Sequence, residues 1–176
     1  MMNEMILPTP EQCLQLLHNA GCSDEVIRHC VAVRDVAVRI ARKAGADVSL
    51  VEVGALLHDI GRSKTHGIRH GIEGAAIVKT LGLPPAIMMI IERHLGAGIP
   101  KDEAGRLELP EKDYLPISLE EKIVAHADNL ISGDKQQHIE EEIRKALEHG
   151  QNSHAQRLRQ LHEELSRICG MNLNDI

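Results

Sequence analysis

Residues 49–62 read Ser49-Leu50-Val51-Glu52-Val53-Gly54-Ala55-Leu56-Leu57-His58-Asp59-Ile60-Gly61-Arg62. Ser49 with Glu52 three residues on forms the pattern of a capping box, so a helix is expected to start here. The apolar run Ala55-Leu56-Leu57 then meets His58-Asp59, and Gly61 stops the helix. An imidazole and a carboxylate therefore stand side by side at a helix C-terminus. The free carbonyls of that end carry partial negative charge, which favours a cation.

Helical punctuation continues on both sides. Thr9-Pro10-Glu11-Gln12 carries a cap, a proline at the first helical position and a closing Gln. Gly21 ends that short helix. Ser23 caps a longer one that Gly45 stops, with Val26, Cys30, Val33, Ala37, Ile40 and Ala44 at alternating steps of four and three. The pattern predicts a fourth helix from about His70 to Leu81 and a fifth from Pro84-Pro85 to near Leu95. Residues 96–117 hold glycine and proline breaks and many charges, the mark of a long functional loop. Ser118 caps a sixth helix predicted to run to about Ser132. Two more helices follow, split at Gly150-Gln151-Asn152-Ser153. The last carries Leu158, Leu161, Leu165 and Ile168, a stripe for packing on the body or on a partner such as a second copy. Strand alternation is hard to find. The expectation is an all-α bundle of about eight helices in one domain, 1–176, with 133–176 as an appended helical pair.

Composition narrows the function. The chain has 176 residues, enough to bury roughly 70% of its unfolded surface without a metal or disulfide. Its net charge of −6 argues against duplex nucleic acid as the main partner. Tyr114 is the only aromatic residue, so stacking platforms for single strands are not expected. The longest charge-free stretch in the apolar middle, Thr80–Ile91, is too short to span a bilayer and contains two prolines. No basic segment followed by an apolar run opens the sequence, which predicts a cytoplasmic protein. Cys13, Cys22, Cys30 and Cys169 form no CxxC pair and read as buried or idle thiols. Eleven histidines remain to be explained, four of them from His58 to His94.

Several polar side chains fall on apolar faces. His29 lies about 60° from Val26 and about 40° from Val33 on a helical wheel. His94 follows Ile87, Ile90 and Ile91 at helical spacing. Asp128 lies within about 60° of Val124 and Ile131. A carboxylate on such a face requires a hydrogen-bonded cation or a metal. Each residue alone has a plainer reading: a core histidine with its bonds satisfied, a cap, a surface charge. Their joint occurrence in one helical chain favours metal ligation by imidazole and carboxylate, for which iron, manganese, nickel, cobalt and zinc are all suited.

This joint pattern resembles the HD superfamily of metal-dependent phosphohydrolases, in particular its HDIG group. The matching blocks are His29-Cys30-Val31-Ala32-Val33 with Ala37 and Ile40-Ala41; His58-Asp59-Ile60-Gly61-Arg62; His70 with Gly74-Ala75; His94; and His126-Ala127-Asp128, together covering residues 23–132. The resemblance implies one divalent ion on His29, His58, Asp59 and Asp128. It implies a second, bridged by Asp59, on His70 and His94, and a phosphate contact from Arg62. His58 and Asp59 are then the catalytic pair. The cyclic-dinucleotide branch of the family carries a His-His pair and a GYP motif, whereas here Leu95 follows His94 and Gly96-Ala97-Gly98-Ile99-Pro100 replaces the motif. The chain is also similar to small single-domain HD proteins of archaeal type, among which a cyclic phosphodiesterase of pterin biosynthesis occurs.

Such a site suits hydrolysis of a phosphomonoester, a cyclic phosphodiester or a dinucleoside polyphosphate of a small nucleotide-like molecule by activated water. Lys64 and Arg69 join Arg62 as candidate phosphate forks or stand as ordinary surface charge. His66, four residues before His70, is a weaker candidate ligand. His18, His138, His149, His154 and His162 have polar neighbours and read as solvated, and His126 reads as packing. The alternative is a binding module that holds metal and nucleotide as a sensor without turnover. A third reading, a di-iron oxygenase, goes with a richer ligand set than this one.

Overall fold

The structure, a computed structural model, describes residues 6–176. Nine α-helices account for nearly all regular structure in these residues. They are α1 (Pro10–Ala20), α2 (Asp24–Ala44), α3 (Val48–Leu57), α4 (His70–Thr80), α5 (Pro85–Glu92), α6 (Lys101–Arg106), α7 (Leu119–Asn129), α8 (Ile139–Glu148) and α9 (Asn152–Cys169). The all-α expectation holds. The bundle is centred on α2, which packs against α3, α7 and α9.

The caps work as their residue types dictate. Thr9 and Gln12 exchange both bonds of a capping box, and the Ser23 and Ser118 hydroxyls accept from Val26 and Glu121. One start differs from expectation: Asp47, not Ser49, caps α3, its carboxylate accepting the Leu50 N–H at 3.0 Å. Asp is as good a cap as Ser, and the Glu120 carboxylate accepts the Asp47 N–H.

Three further boundaries differ. The long loop contains the short helix α6, held down by Arg157, which forks onto Glu103 at 2.8 and 2.6 Å. The fifth helix stops at Glu92, so His94 sits in the turn after it rather than on its face. The sixth stops at Asn129, and Ile131–Ser132 (β1) pairs antiparallel with Lys135–Gln136 (β2) around Gly133 at φ 63°. A two-residue turn with glycine in the left-handed region suits a tight hairpin.

Two large apolar clusters make most of the core, and a small third one gathers Ile99, Ala104, Leu109 and Tyr114. One joins Val33, Ile40, Val51, Ile90 and Ile123 to Ile143, Leu158, Leu161 and Leu165, so α8 and α9 bury their stripes against the body. The other gathers Leu17, Ile27, Leu56, Ile60 and Ile87 under α1. Between them α2, α4 and α7, with the ends of α3 and α5, bring polar side chains to one place. No helix among the described residues is long and apolar enough to cross a membrane.

Candidate metal centre

His58 and Asp59 fall where α3 gives way to a short 3-10 turn, Ile60–Ser63. That turn lies directly on α4. A Cβ on Gly61 would collide with the His70 carbonyl oxygen and sit 2.5 Å from the Gly74 nitrogen, and one on Gly74 would sit 2.7 Å from Ile91 Cγ2. The glycines of HDIG and of the His70 block thus permit the backbone contact that sets Asp59 against His70. The two blocks, with Gly61 and His70 nine positions apart, share one close approach.

Every histidine of the cluster is oriented by a backbone carbonyl. Nδ1 of His29 donates to Gly133 O at 2.6 Å, His58 to Ala55 O at 2.6 Å, His70 to Gly67 O at 2.8 Å and His94 to Ile91 O at 2.7 Å. A carbonyl only accepts, so each Nδ1 carries the proton and each Nε2 presents a lone pair. Such carbonyl partners are the usual outer support of metal-bound histidines. The Gly133 carbonyl that orients His29 belongs to the hairpin, a contact with no local sequence signal.

The lone pairs converge. His70 Nε2 and His94 Nε2 lie 3.1 Å apart, and Asp59 Oδ1 lies 3.1 and 3.4 Å from them. On the other carboxylate oxygen, Asp59 Oδ2 is 3.8 Å from His29 Nε2 and 3.7 Å from His58 Nε2. Asp128 Oδ1 completes that side at 2.9 Å from His29 Nε2 and 3.6 Å from His58 Nε2. His58 Nε2 and Asp59 Oδ1 are buried without any hydrogen-bond donor. Two unprotonated nitrogens and a carboxylate oxygen facing one point need a positive charge between them. The donor atoms of His29, His58 and Asp59, of His58, His94 and Asp128, and of Asp59, His70 and His94 lie within 4.8 Å of one another in each set. These residues fit divalent metal.

Electrostatics agree with the geometry. Burial works to raise the Asp59 carboxyl, but the His58 charge and the His70 and His94 contacts hold it well below the usual range. Asp128 is likewise held down, against burial, by His29 and His58. Burial works to lower His58, yet the Asp59 charge lifts it well above an ordinary histidine, so the pair draws a positive charge, a proton or a metal ion, to His58 Nε2. For His94, burial prevails and pushes it down. Both carboxylates therefore stay ionised and await cations.

All six expected ligands are thus brought together. Arg62 Nε donates to Asp59 Oδ2 at 2.7 Å, so its first partner is the ligand carboxylate. His66 is exposed, and only its carbonyl takes part, accepting from Arg62 Nη1 at 3.3 Å. Arg69 is engaged by the Glu108 carbonyl. Two histidines that the sequence pattern placed in solvent are half-buried. His162 bridges His126 and Asn172, each at 3.0 Å, and His154 lies against Gly96. Their partners come from helices remote in sequence. Asn129, beside Asp128, was missed: its amide donates to Gly96 O at 2.9 Å and ties α7 to the turn that carries His94.

The sequence profile of the HD domain family matches residues 26–133. The chain belongs to that family, and the matched span contains the whole cluster. It is 48% identical over 170 residues to a tRNA (cytidine(56)-2'-O)-methyltransferase of Picrophilus torridus, covering 97% of this chain and 50% of that protein. A Thermoplasma volcanium protein of the same name is 43% identical, with 97% and 51% covered. The chain therefore spans about half the length of these relatives. An uncharacterised protein of Methanocaldococcus jannaschii is 54% identical over 140 residues, covering 77% of this chain and 82% of that one. Among solved structures, the HD domain of the Listeria monocytogenes phosphodiesterase PgpH shares the fold, with a TM-score of 0.56 at 20% identity, covering 90% of this chain and 97% of that one.

Proposed function

We propose that the protein is a metal-dependent phosphohydrolase acting on a phosphoester of a small nucleotide-like molecule in the cytoplasm. The observation that carries this reading is the division of Asp59. Its two oxygens face two separate sets of imidazole lone pairs, the arrangement needed to hold two cations with one bridging carboxylate. His29, His58, Asp59 and Asp128 would hold one ion; Asp59, His70 and His94 the other. Bound divalent metal supplies acidified water at neutral pH and neutralises phosphoryl charge. The chain's own part is to fix that charge in place. The four backbone carbonyls lock the imidazole tautomers, and burial keeps bulk water from the Asp59 carboxylate. Arg62, anchored through Nε, has guanidinium N–H groups left to fork onto a non-bridging phosphate oxygen. The substrate class is a phosphomonoester, a cyclic phosphodiester or a dinucleoside polyphosphate. The names of relatives, ribonuclease Y of Chloroflexus aurantiacus at 32% identity over 82 residues among them, support phosphoester chemistry.

A second reading is favoured by the two methyltransferase relatives, half of whose length matches nearly all of this chain. In it the unit binds metal and nucleotide beside a tRNA-modifying partner without hydrolysis. The test is phosphate release from nucleoside monophosphates and dinucleoside polyphosphates, and ring opening of 2′,3′-cyclic phosphates, across manganese, cobalt, nickel, zinc and ferrous iron. Turnover that disappears in Asp59→Ala supports the hydrolase. Stoichiometric metal with no turnover of any compound would leave the binding module.

A further inference from the structure

A cleft of about 470 Å3 is lined in part by residues that adjoin candidate ligands in sequence, and by none of the ligands themselves. Ile68 and Leu95 form the near wall, and each stands within two residues of a ligand, His70 and His94. Leu107, at the end of α6, the turn 150–153 into α9 and His154 also line it. That turn lies beyond the HD family match, which stops at residue 133, so one wall is an addition to the family core. The volume falls within the ~300–1,000 Å3 usual for small-molecule sites.

The chemistry of the walls selects among occupants. Arg157 is paired with Glu103, and Arg106 with Asp102 at 2.9 Å, so each arginine of the lining stands beside a carboxylate and the pairs add no net positive charge. What it does offer is neutral donors. No side chain caps α9, whose first turn leaves N–H groups open at the end wall. The side chains of Gln151, Asn152 and Ser153 are exposed beside them. Aliphatic walls with a rim of uncharged donors suit a planar ring with acceptor atoms on its edge. Tyr114, the one aromatic residue, bonds to Pro110 O and does not line the cleft.

We infer that this cleft holds the heterocyclic ring of a nucleoside-type substrate whose phosphate lies at the metal centre. Ring faces lie on Ile68, Leu95 and Leu107, and edge acceptors take the open N–H groups of α9. The placement of the phosphate rests on the phosphohydrolase reading; the ring site does not.

Calorimetry of the whole protein with AMP, GMP, CMP and UMP, and with glycerol 3-phosphate as the ring-free control, tests this. At least one nucleotide should bind ten times more tightly than glycerol 3-phosphate. Ser153→Trp, which fills the cleft from an exposed position, should bring the nucleotide down to the affinity of the control. Leu107→Glu, on a separate element of the lining, should do the same and guards against misfolding of either variant, checked by circular dichroism. Equal affinity for all five compounds, or a ring preference that survives both substitutions, would overturn the inference. The four free nucleosides separate the two proposals. Nucleoside binding that is lost in Ser153→Trp, with no phosphoester hydrolysed, would uphold the cleft and overturn the hydrolase.

Discussion

His29 Nε2 and Asp128 Oδ1 stand 2.9 Å apart, although 99 residues separate them and they belong to different helices. The contact exists because α2 and α7 pack side by side in the main core cluster, with His29 and Asp128 on the facing sides. The His29 ring is held from behind by the Gly133 carbonyl, so the hairpin after α7 and the helix itself fix the two partners of one pair. Asp59 then joins this side of the centre to the other, since its Oδ2 faces His29 and His58 while its Oδ1 reaches His70 and His94.

That division makes Asp59 and His94 separable by mutation. Asp59→Ala removes a donor from both sets and leaves Arg62 without its partner, so bound metal and turnover should vanish together. His94→Ala removes a donor from the Asp59 Oδ1 side and leaves His29, His58, Asp59 and Asp128 in place. It should retain about one ion per chain by elemental analysis. Its rate should fall on the order of a hundredfold or more if both ions serve the transition state, since such a stabiliser is worth ~2.7–4 kcal/mol. Near-normal hydrolysis by His94→Ala would show that one ion suffices.

Chelation should leave the fold standing. The clusters around α2 and under α1 are apolar and continuous, and none of their members is a metal ligand. Treatment with a strong chelator should keep the helical circular dichroism. It should lower the melting temperature by about 5–10 °C, the loss expected for a ligand at about a hundred times its dissociation constant in a chain of this length. Collapse of the helical signal would make the site structural.

Acid should destabilise the protein through His126. Its ring is buried, bonds to His162 at 3.0 Å, and is pushed down by burial, and then by the His162 charge, to about 3. A histidine with a depressed pKa in the folded state contributes no penalty above the unfolded value of ~6.5. As the pH falls below that value the unfolded chain takes up the proton and the folded one does not, so stability is lost towards pH 3. At pH 5 the loss is about 2 kcal/mol. His126→Gln, which keeps a donor towards His162, should lose less between pH 8 and pH 5 in urea titrations. An equal loss in both proteins would assign the acid sensitivity elsewhere.

How far the sequence carried this reading follows from what is local. His29 and Asp128 could be read as inward because each sits on a helix with clear apolar periodicity, and His58-Asp59 because a glycine ends its helix. His94 was found for a partly wrong reason. It continues the spacing of Ile87, Ile90 and Ile91, yet the helix ends at Glu92 and the ring is aimed by the Ile91 carbonyl. The Gly133 carbonyl behind His29, the Asn129 amide on Gly96 and the Glu103–Arg157 pair over α6 have no local signature. Each joins segments that meet only after the core has formed.

Gly61 offers the sharpest test of how the fold builds the centre. Its φ is ordinary, so conformational freedom is not the reason for glycine here. Space is: an added Cβ would run into the His70 carbonyl oxygen and lie 2.5 Å from the Gly74 nitrogen, both backbone atoms that cannot swing away. Gly61→Ala must therefore push α4 off the 3-10 turn, moving His70 away from Asp59 and opening the second donor set. Overpacking of this kind costs ~1–3 kcal/mol, occasionally more. The expected outcome is a lower urea midpoint together with loss of one ion per chain. The His29, His58 and Asp128 set lies on α2, α3 and α7, away from the contact, and should keep its ion. Gly67→Ala is the control, since an added Cβ there meets only the Thr65 hydroxyl at 3.5 Å. A Gly61→Ala protein with wild-type metal content and stability would show that α4 is not positioned by this contact.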